Sequence, residues 1–249
     1  MKSNIFLSCL IIIFLGYSNP VFSQQDDIIP AEQGLESVYE MIYNNKLDEA
    51  EKLLNNLKNI EGNNPEYHLY LALIKHKQGL FDRALVEYFK ASHFDKDGII
   101  LNYNLALLFQ EMNNYPKALE LYKNIAKKHP EYYKTFYNIA RIYQEQGDNA
   151  KAKVYYDKFI KKYPEDIETL NNLAVIYKDE GHLDKAQSLL QQIILDDPGY
   201  APAHYNIALI YILKEDSTKA RNVHKLLQKL SPDHAKILEY QLKKQNIDL

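Results

Sequence analysis

Asn104, Asn138, Asn172 and Asn206 follow one another at a constant step of 34 residues. A carboxamide offers both a donor and an acceptor, so a row of them can pair with the backbone of an extended peptide whatever its sequence. Tyr103, Tyr137 and Tyr205 directly precede three of these asparagines, and Asn171 breaks the row. A tyrosine adds rigid apolar area with a polar tip, which suits a contact surface. The chemistry on offer is binding.

Bond-making chemistry lacks its residues. The sequence has no HExxH, G-x-S-x-G or Walker pattern. Its eight histidines are scattered. The carboxylate pairs Asp26-Asp27 and Asp196-Asp197 are neighbours in sequence, whereas an acid/base pair must face across a cleft. Cys9 is the one cysteine and sits near the amino terminus, so disulfides, thiol nucleophiles and cysteine-based metal sites are not expected beyond it. The expectation is a non-enzyme with no cofactor, no metal and no small-molecule substrate.

Composition narrows the partners. The formal net charge is −3, and loss of residues 1–23 would remove one lysine and no acid. Lys127-Lys128, Lys161-Lys162 and Lys243-Lys244 are short pairs that suit helix C-termini. Nucleic acid, which calls for a basic excess or stripe, is not expected as a partner. Apolar residues at 46% and few Gly and Pro predict a packed, helical chain.

The amino terminus carries an address. Lys2 precedes the apolar run Ile5–Leu15, Gly16 and Pro20 break it, and Val21-Phe22-Ser23 place modest side chains before Gln24. This is the pattern of a secretory signal peptide over 1–23, followed by a linker over 24–30. The run is too short for a membrane span of ~20 residues, so no stable span is expected after cleavage. Phe6-Leu7-Ser8-Cys9 only faintly resembles a lipidation site, because the apolar run continues past the cysteine. Export to the periplasm or the cell exterior follows, free or associated with the envelope.

What must position the asparagines is a repeat of the same period. Alanine recurs at 50, 84, 118, 152, 186 and 220. A second series runs Val38, Ala72, Ala106, Ala140, Ala174 and Ala208. Pro130, Pro164, Pro198 and Pro232 form a third. Gly79, Gly147 and Gly181 share one phase, with Asn45, Asn113 and Glu215 in the other copies. Within a copy, Phe136, Ile139, Ala140 and Tyr143 fall at helical spacing, as do Ala152, Tyr155, Tyr156 and Phe159. Each copy therefore reads as two helices joined at the glycine phase, with alanines where the helices cross closely.

These residues resemble the tetratricopeptide repeat family. The match covers six copies, 31–64, 65–98, 99–132, 133–166, 167–200 and 201–234, and is best in the fourth. Copy one departs at Gly34, Ser37 and Gly62, copy two at Lys75 and Lys96, and copy six at Glu215 and His224. The tail 235–249 reads as a capping helix using Ile237, Leu238, Leu242 and Ile247. The resemblance implies an all-α fold, a right-handed α-α superhelix whose concave groove is lined by the first helix of each copy. It implies that the second, fifth, sixth, ninth, twelfth and thirteenth residues of each copy face that groove. The expected partner-binding set is Tyr103, Asn104, Lys134, Tyr137, Asn138, Arg141, Asn171, Asn172, Lys178, Tyr205 and Asn206.

The expected function is that of an exported scaffold or adaptor holding a protein partner, as an extended peptide or a helix, in the groove. The alternative is an envelope-assembly factor supporting a secretin, pilus or cell-wall machine.

Overall fold

The computed structural model describes residues 31–61, 64–94 and 98–247. The expected leader and linker, Cys9, and the departures at Gly62 and Lys96 lie outside the described residues. All regular structure among the described residues is helical. The first hairpin pairs α1 (Ala31–Tyr43) with α2 (Leu47–Glu61), and the second pairs α3 (Pro65–Lys77) with α4 (Phe81–Phe94). Then come α5 (Ile99–Glu111) with α6 (Tyr115–Lys128), and α7 (Lys134–Glu145) with α8 (Asn149–Ile160). The last two are α9 (Ile167–Asp179) with α10 (Leu183–Asp196), and α11 (Ala201–Leu213) with α12 (Ser217–Leu230). A single helix, α13 (Pro232–Lys244), follows. The second helix of each pair packs on the first helix of the next, and α1 also touches α3, α3 touches α5, and α9 touches α11.

The turns explain the hairpins. Asn45, Gly79, Asn113, Gly147, Gly181 and Glu215 all have φ between 59° and 81°. In the fourth copy the Asp148 N–H donates to the Tyr143 carbonyl at 2.8 Å and the Gly147 N–H to the Gln144 carbonyl at 2.9 Å. This pair of hydrogen bonds closes a helix on a left-handed residue. The Asp148 carboxylate then accepts from the Lys151 N–H at 3.1 Å and caps α8. One short stretch thus ends one helix and starts the next. Glu215 makes the same turn at φ 60°, against the strain its β-carbon brings.

Both alanine series are fully buried, from Ala50 to Ala220 and from Ala72 to Ala208, together with Val38. A larger side chain there would force the two helices of a copy apart. Ile74, Leu108, Ile142, Ile176 and Ile210, again at a step of 34, are also at 0% exposure. Each contributes roughly 1.5–3 kcal/mol by leaving water.

A polar bond recurs inside this apolar frame. The hydroxyls of Tyr88, Tyr122 and Tyr156 on the second helices meet His76, Gln110 and Gln144 on the first, at 3.3, 3.4 and 2.7 Å. Copies five and six hold Leu190 and His224 at the tyrosine position, both buried. A lysine at the start of the second helix lies over an aromatic ring near the end of the first. Lys117 lies 5.0 Å from the Phe109 centroid, Lys151 5.2 Å from Tyr143, Lys185 3.9 Å from Tyr177 and Lys219 5.4 Å from Tyr211. Lys75 takes this aromatic place in copy two and pairs instead with Glu51 of copy one, holding that carboxyl below its ordinary range.

The departures in copy one also have a physical account. A β-carbon on Gly34 would lie 2.8 Å from Leu57 Cδ1, so Leu57 fills the space that a large aromatic takes elsewhere in the family. At the other end, α13 starts at Pro232, three residues earlier than the tail was expected to become helical. Leu238 and Leu242 are buried and Ile247 packs on the last copy. Ile237 was expected to join them but is 50% exposed. It lies about 100° around the helix from Leu238 and so leaves the packed face.

Candidate groove on the first-helix face

The expected groove residues all lie on α5, α7, α9 and α11, the first helices of copies three to six. The structure divides them. Asn138, Asn171 and Asn206 are buried. Asn138 Nδ2 donates to the Tyr103 hydroxyl at 2.9 Å, and Asn206 Nδ2 donates to Asn171 Oδ1 at 2.9 Å. Both bonds join first helices of adjacent copies. These amides are committed to the solenoid itself, because a polar group taken out of water must keep a partner.

Asn104 and Asn172 are only half-buried. Asn104 Nδ2 donates to the Ile100 carbonyl one turn back at 2.8 Å. The Asn172 side chain bonds the buried Tyr156 hydroxyl. The row that looked uniform in sequence is therefore divided: Asn138, Asn172 and Asn206 each bond to the copy before, and Asn104 bonds within its own helix.

The tyrosines are held in place. Tyr103 packs edge-on against Tyr122 at 5.7 Å and Tyr132 at 5.3 Å. Tyr137 repeats the first contact with Tyr156 at 5.9 Å and adds Phe159 at 5.4 Å. Its hydroxyl donates to Glu168 Oε2 at 3.0 Å. Burial and then this carboxylate push the Tyr137 hydroxyl up to about 12. Burial also raises Tyr103, against the bond from Asn138. Tyr205 is half-buried near His234, with ring centroids 6.0 Å apart.

The cations separate as well. Lys134 is exposed on the first turn of α7. Arg141 is exposed and pairs with Glu145 at 3.3 Å, one turn along the helix. Its charge also reaches Tyr122, Tyr137 and Tyr156, so it lies beside the central phenols. Lys178 is half-buried and pairs with the adjacent Asp179 at 3.1 Å. Exposed pairs of this kind contribute little to stability, so a ligand carboxylate could exchange into them at small cost.

Several residues of this face were not anticipated. Glu168 receives the Tyr137 bond from the second position of copy five. Tyr132 bridges Tyr103 and the loop before α7. Tyr39 and Tyr70 stand 6.3 Å apart on α1 and α3. Tyr39 occupies the ninth position of copy one, a groove position, but the weak match of that copy hid it. Among the described residues no group of three or more His, Cys, Asp or Glu side chains is placed to hold a metal ion. No helix among them is long and apolar enough to cross a membrane.

The geometry is that of known repeat proteins. A family model described as tetratricopeptide repeat matches residues 109–174 and 143–205, and a second of the same description matches 201–234. No curated protein sequence matches the chain. Among solved structures, a tetratricopeptide repeat protein from Parabacteroides merdae is 21% identical with a TM-score of 0.72, covering 87% of this chain and 86% of that one. PilW, a widely conserved type IV pilus biogenesis factor, is 16% identical with a TM-score of 0.74, covering 84% and 97%. YrrB, a repeat protein with an unusual peptide-binding site, is 22% identical with a TM-score of 0.60, covering 77% and 97%. The period, the hairpins and these likenesses converge: the chain belongs to the tetratricopeptide repeat family, as a right-handed superhelix of six repeats closed by a C-terminal helix.

Proposed function

We propose that this protein is an exported scaffold that holds a segment of another protein against its first-helix face. The observation behind this reading is the division of that face. Asn138, Asn171, Asn206 and the packed tyrosines make a rigid floor, while Lys134 and Arg141 stand exposed above it. A rigid surface with a few adaptable polar groups loses little entropy on binding. Mixed charge around Arg141, Glu145, Glu168, Lys178 and Asp179 suits a partner segment of mixed or mildly acidic character. Residues 1–23 act as the export leader and 24–30 as a linker, placing the repeats in the periplasm or outside the cell.

The test is a pull-down from envelope extract with the purified protein and with a triple variant, Lys134→Ala, Arg141→Ala and Asn172→Ala. Specific partners retained by the parent should be lost from the variant while its helical circular dichroism is unchanged. Full retention of every partner would show that this face does not bind them. The likeness to PilW supports a second reading, an envelope-assembly factor. That reading expects the protein to sediment with a membrane complex and its deletion to leave the complex unassembled.

A further inference from the structure

The first two copies carry Tyr39, Tyr43 and Tyr70 at the ninth, thirteenth and sixth positions, which the family resemblance assigns to the concave side. Tyr39 is 53% exposed and Tyr43 78%. Tyr39 lies 6.3 Å from Tyr70 of the next copy. Its phenol also contributes, after burial and Tyr103, to the raised pKa of the Tyr132 hydroxyl. Tyr132 in turn packs on Tyr103 at 5.3 Å. Tyr39, Tyr43 and Tyr70 make a short track on α1 and α3, coupled electrostatically through Tyr39 to the Tyr132–Tyr103 pair at the centre.

The helix that carries the exposed end of the track has charge of one sign, and Lys46, the first cation after it, is paired with Glu49 at 3.9 Å. α1 carries Glu32, Glu36 and Glu40 and no lysine or arginine. Glu36 and Glu40 are exposed and flank Tyr39 and Tyr43 along the helix. Elsewhere the protein covers Phe109, Tyr143, Tyr177 and Tyr211 with its own lysines. Among the described residues no lysine or arginine lies over Tyr39 or Tyr43. The electron-rich ring faces and the carboxylates together call for a cation from outside. The sequence just before α1 carries Asp26 and Asp27, the wrong sign for this track.

We propose that the α1–α3 tyrosine track docks a cationic segment of a partner protein, with arginine or lysine side chains laid over Tyr39 and Tyr43 and their charge answered by Glu36 and Glu40. The segment then runs inward past Tyr70 toward Tyr132. This extends the binding face by two copies and rests on the reading of the concave side as the binding surface.

Panning a random peptide library on the purified protein tests it. Parallel arms use Tyr39→Ala/Tyr43→Ala, Glu36→Lys/Glu40→Lys, Arg141→Ala and, as the control, Lys225→Ala. The protein should enrich arginine- and lysine-rich peptides, and their affinity, read by fluorescence anisotropy, should fall with added salt. The tyrosine and the charge variants should each bind them roughly tenfold or more weakly, and Lys225→Ala, an exposed change on the second helix α12 of the last copy, should bind them as the parent does. Enriched peptides without a cationic bias, or peptides that bind the tyrosine variant unchanged, overturn the proposal. Peptides lost only on Arg141→Ala overturn it while leaving the central groove intact, and an absence of enrichment in every arm overturns both.

Discussion

The amide of Asn138 donates to the hydroxyl of Tyr103 across 35 residues of sequence, at 2.9 Å, and ties the third copy to the fourth. Asn104, one copy earlier, spends its amide on the carbonyl of Ile100 in its own helix. The two asparagines should behave differently. Asn138→Ala strips a half-buried phenol of its donor and should cost about 1–2 kcal/mol, read as a lowered urea midpoint. Asn104→Ala should change stability by less than about 0.5 kcal/mol. Equal losses in the two variants would show that the cross-copy bond carries no special weight.

Tyr156 and Gln144 offer a cleaner pair, because Tyr156 is fully buried and the bond is 2.7 Å. Tyr156→Phe should destabilise by about 1 kcal/mol, since Gln144 loses its partner. Tyr156→Phe with Gln144→Leu should cost less than the two single changes together, since both halves of this bond go and only the half-buried Asn172 still loses a partner. A double-mutant cycle by chemical denaturation measures this, and strict additivity would refute the bond's role.

Glu215 holds a left-handed conformation that its homologous positions give to glycine in three copies. Glu215→Gly removes the clash of the β-carbon and pays back part of the gain in unfolded-chain entropy. The net expectation is a stabilisation of about 0.5–1 kcal/mol. Thermal unfolding should shift upward, and a downward shift would mean that the glutamate side chain makes a compensating contact.

Alkaline pH should unfold this protein through its tyrosines. Burial pushes the hydroxyls of Tyr88, Tyr122 and Tyr156 far above the ordinary phenol range, and those of Tyr132 and Tyr137 up to about 12. The folded values exceed the ordinary 10.0, so the stabilisation is whole below that pH. It is lost as pH climbs from there toward the folded values. Phenolate absorbance and loss of helical circular dichroism should rise together in one cooperative step. A gradual phenolate titration with the helical signal intact would contradict the burial of these rings.

The sequence declared the frame readily because the frame is periodic. Alanines at the crossings and turn residues with positive φ must recur wherever the same backbone recurs, so Ala140, Ala152 and Gly147 could be read from spacing alone. The division of the asparagine row could not. Whether Asn138 faces a tyrosine or the solvent depends on how far copy four rotates against copy three, and that depends on Tyr103, Tyr122 and Tyr132 together. The bond from Tyr156 to Gln144 was hidden for a similar reason: each residue looks unremarkable in its own helix, and only the closed hairpin brings them into reach. Tyr39 was obscured because Gly34 blurs the copy that contains it, and Leu57 repairs the packing from a place that local pattern does not reveal.

The alanine crossings carry a consequence for how such a chain can change its length. The crossing inside each copy is made by equivalent residues, so excising or duplicating one whole unit leaves every remaining helix pair in frame. An insertion of a single residue inside a helix is another matter, since it turns everything beyond it by about 100° and brings bulky side chains onto the alanine contacts. Lineages of this architecture are therefore free to grow or shrink in whole units, and are held rigidly to frame within each one.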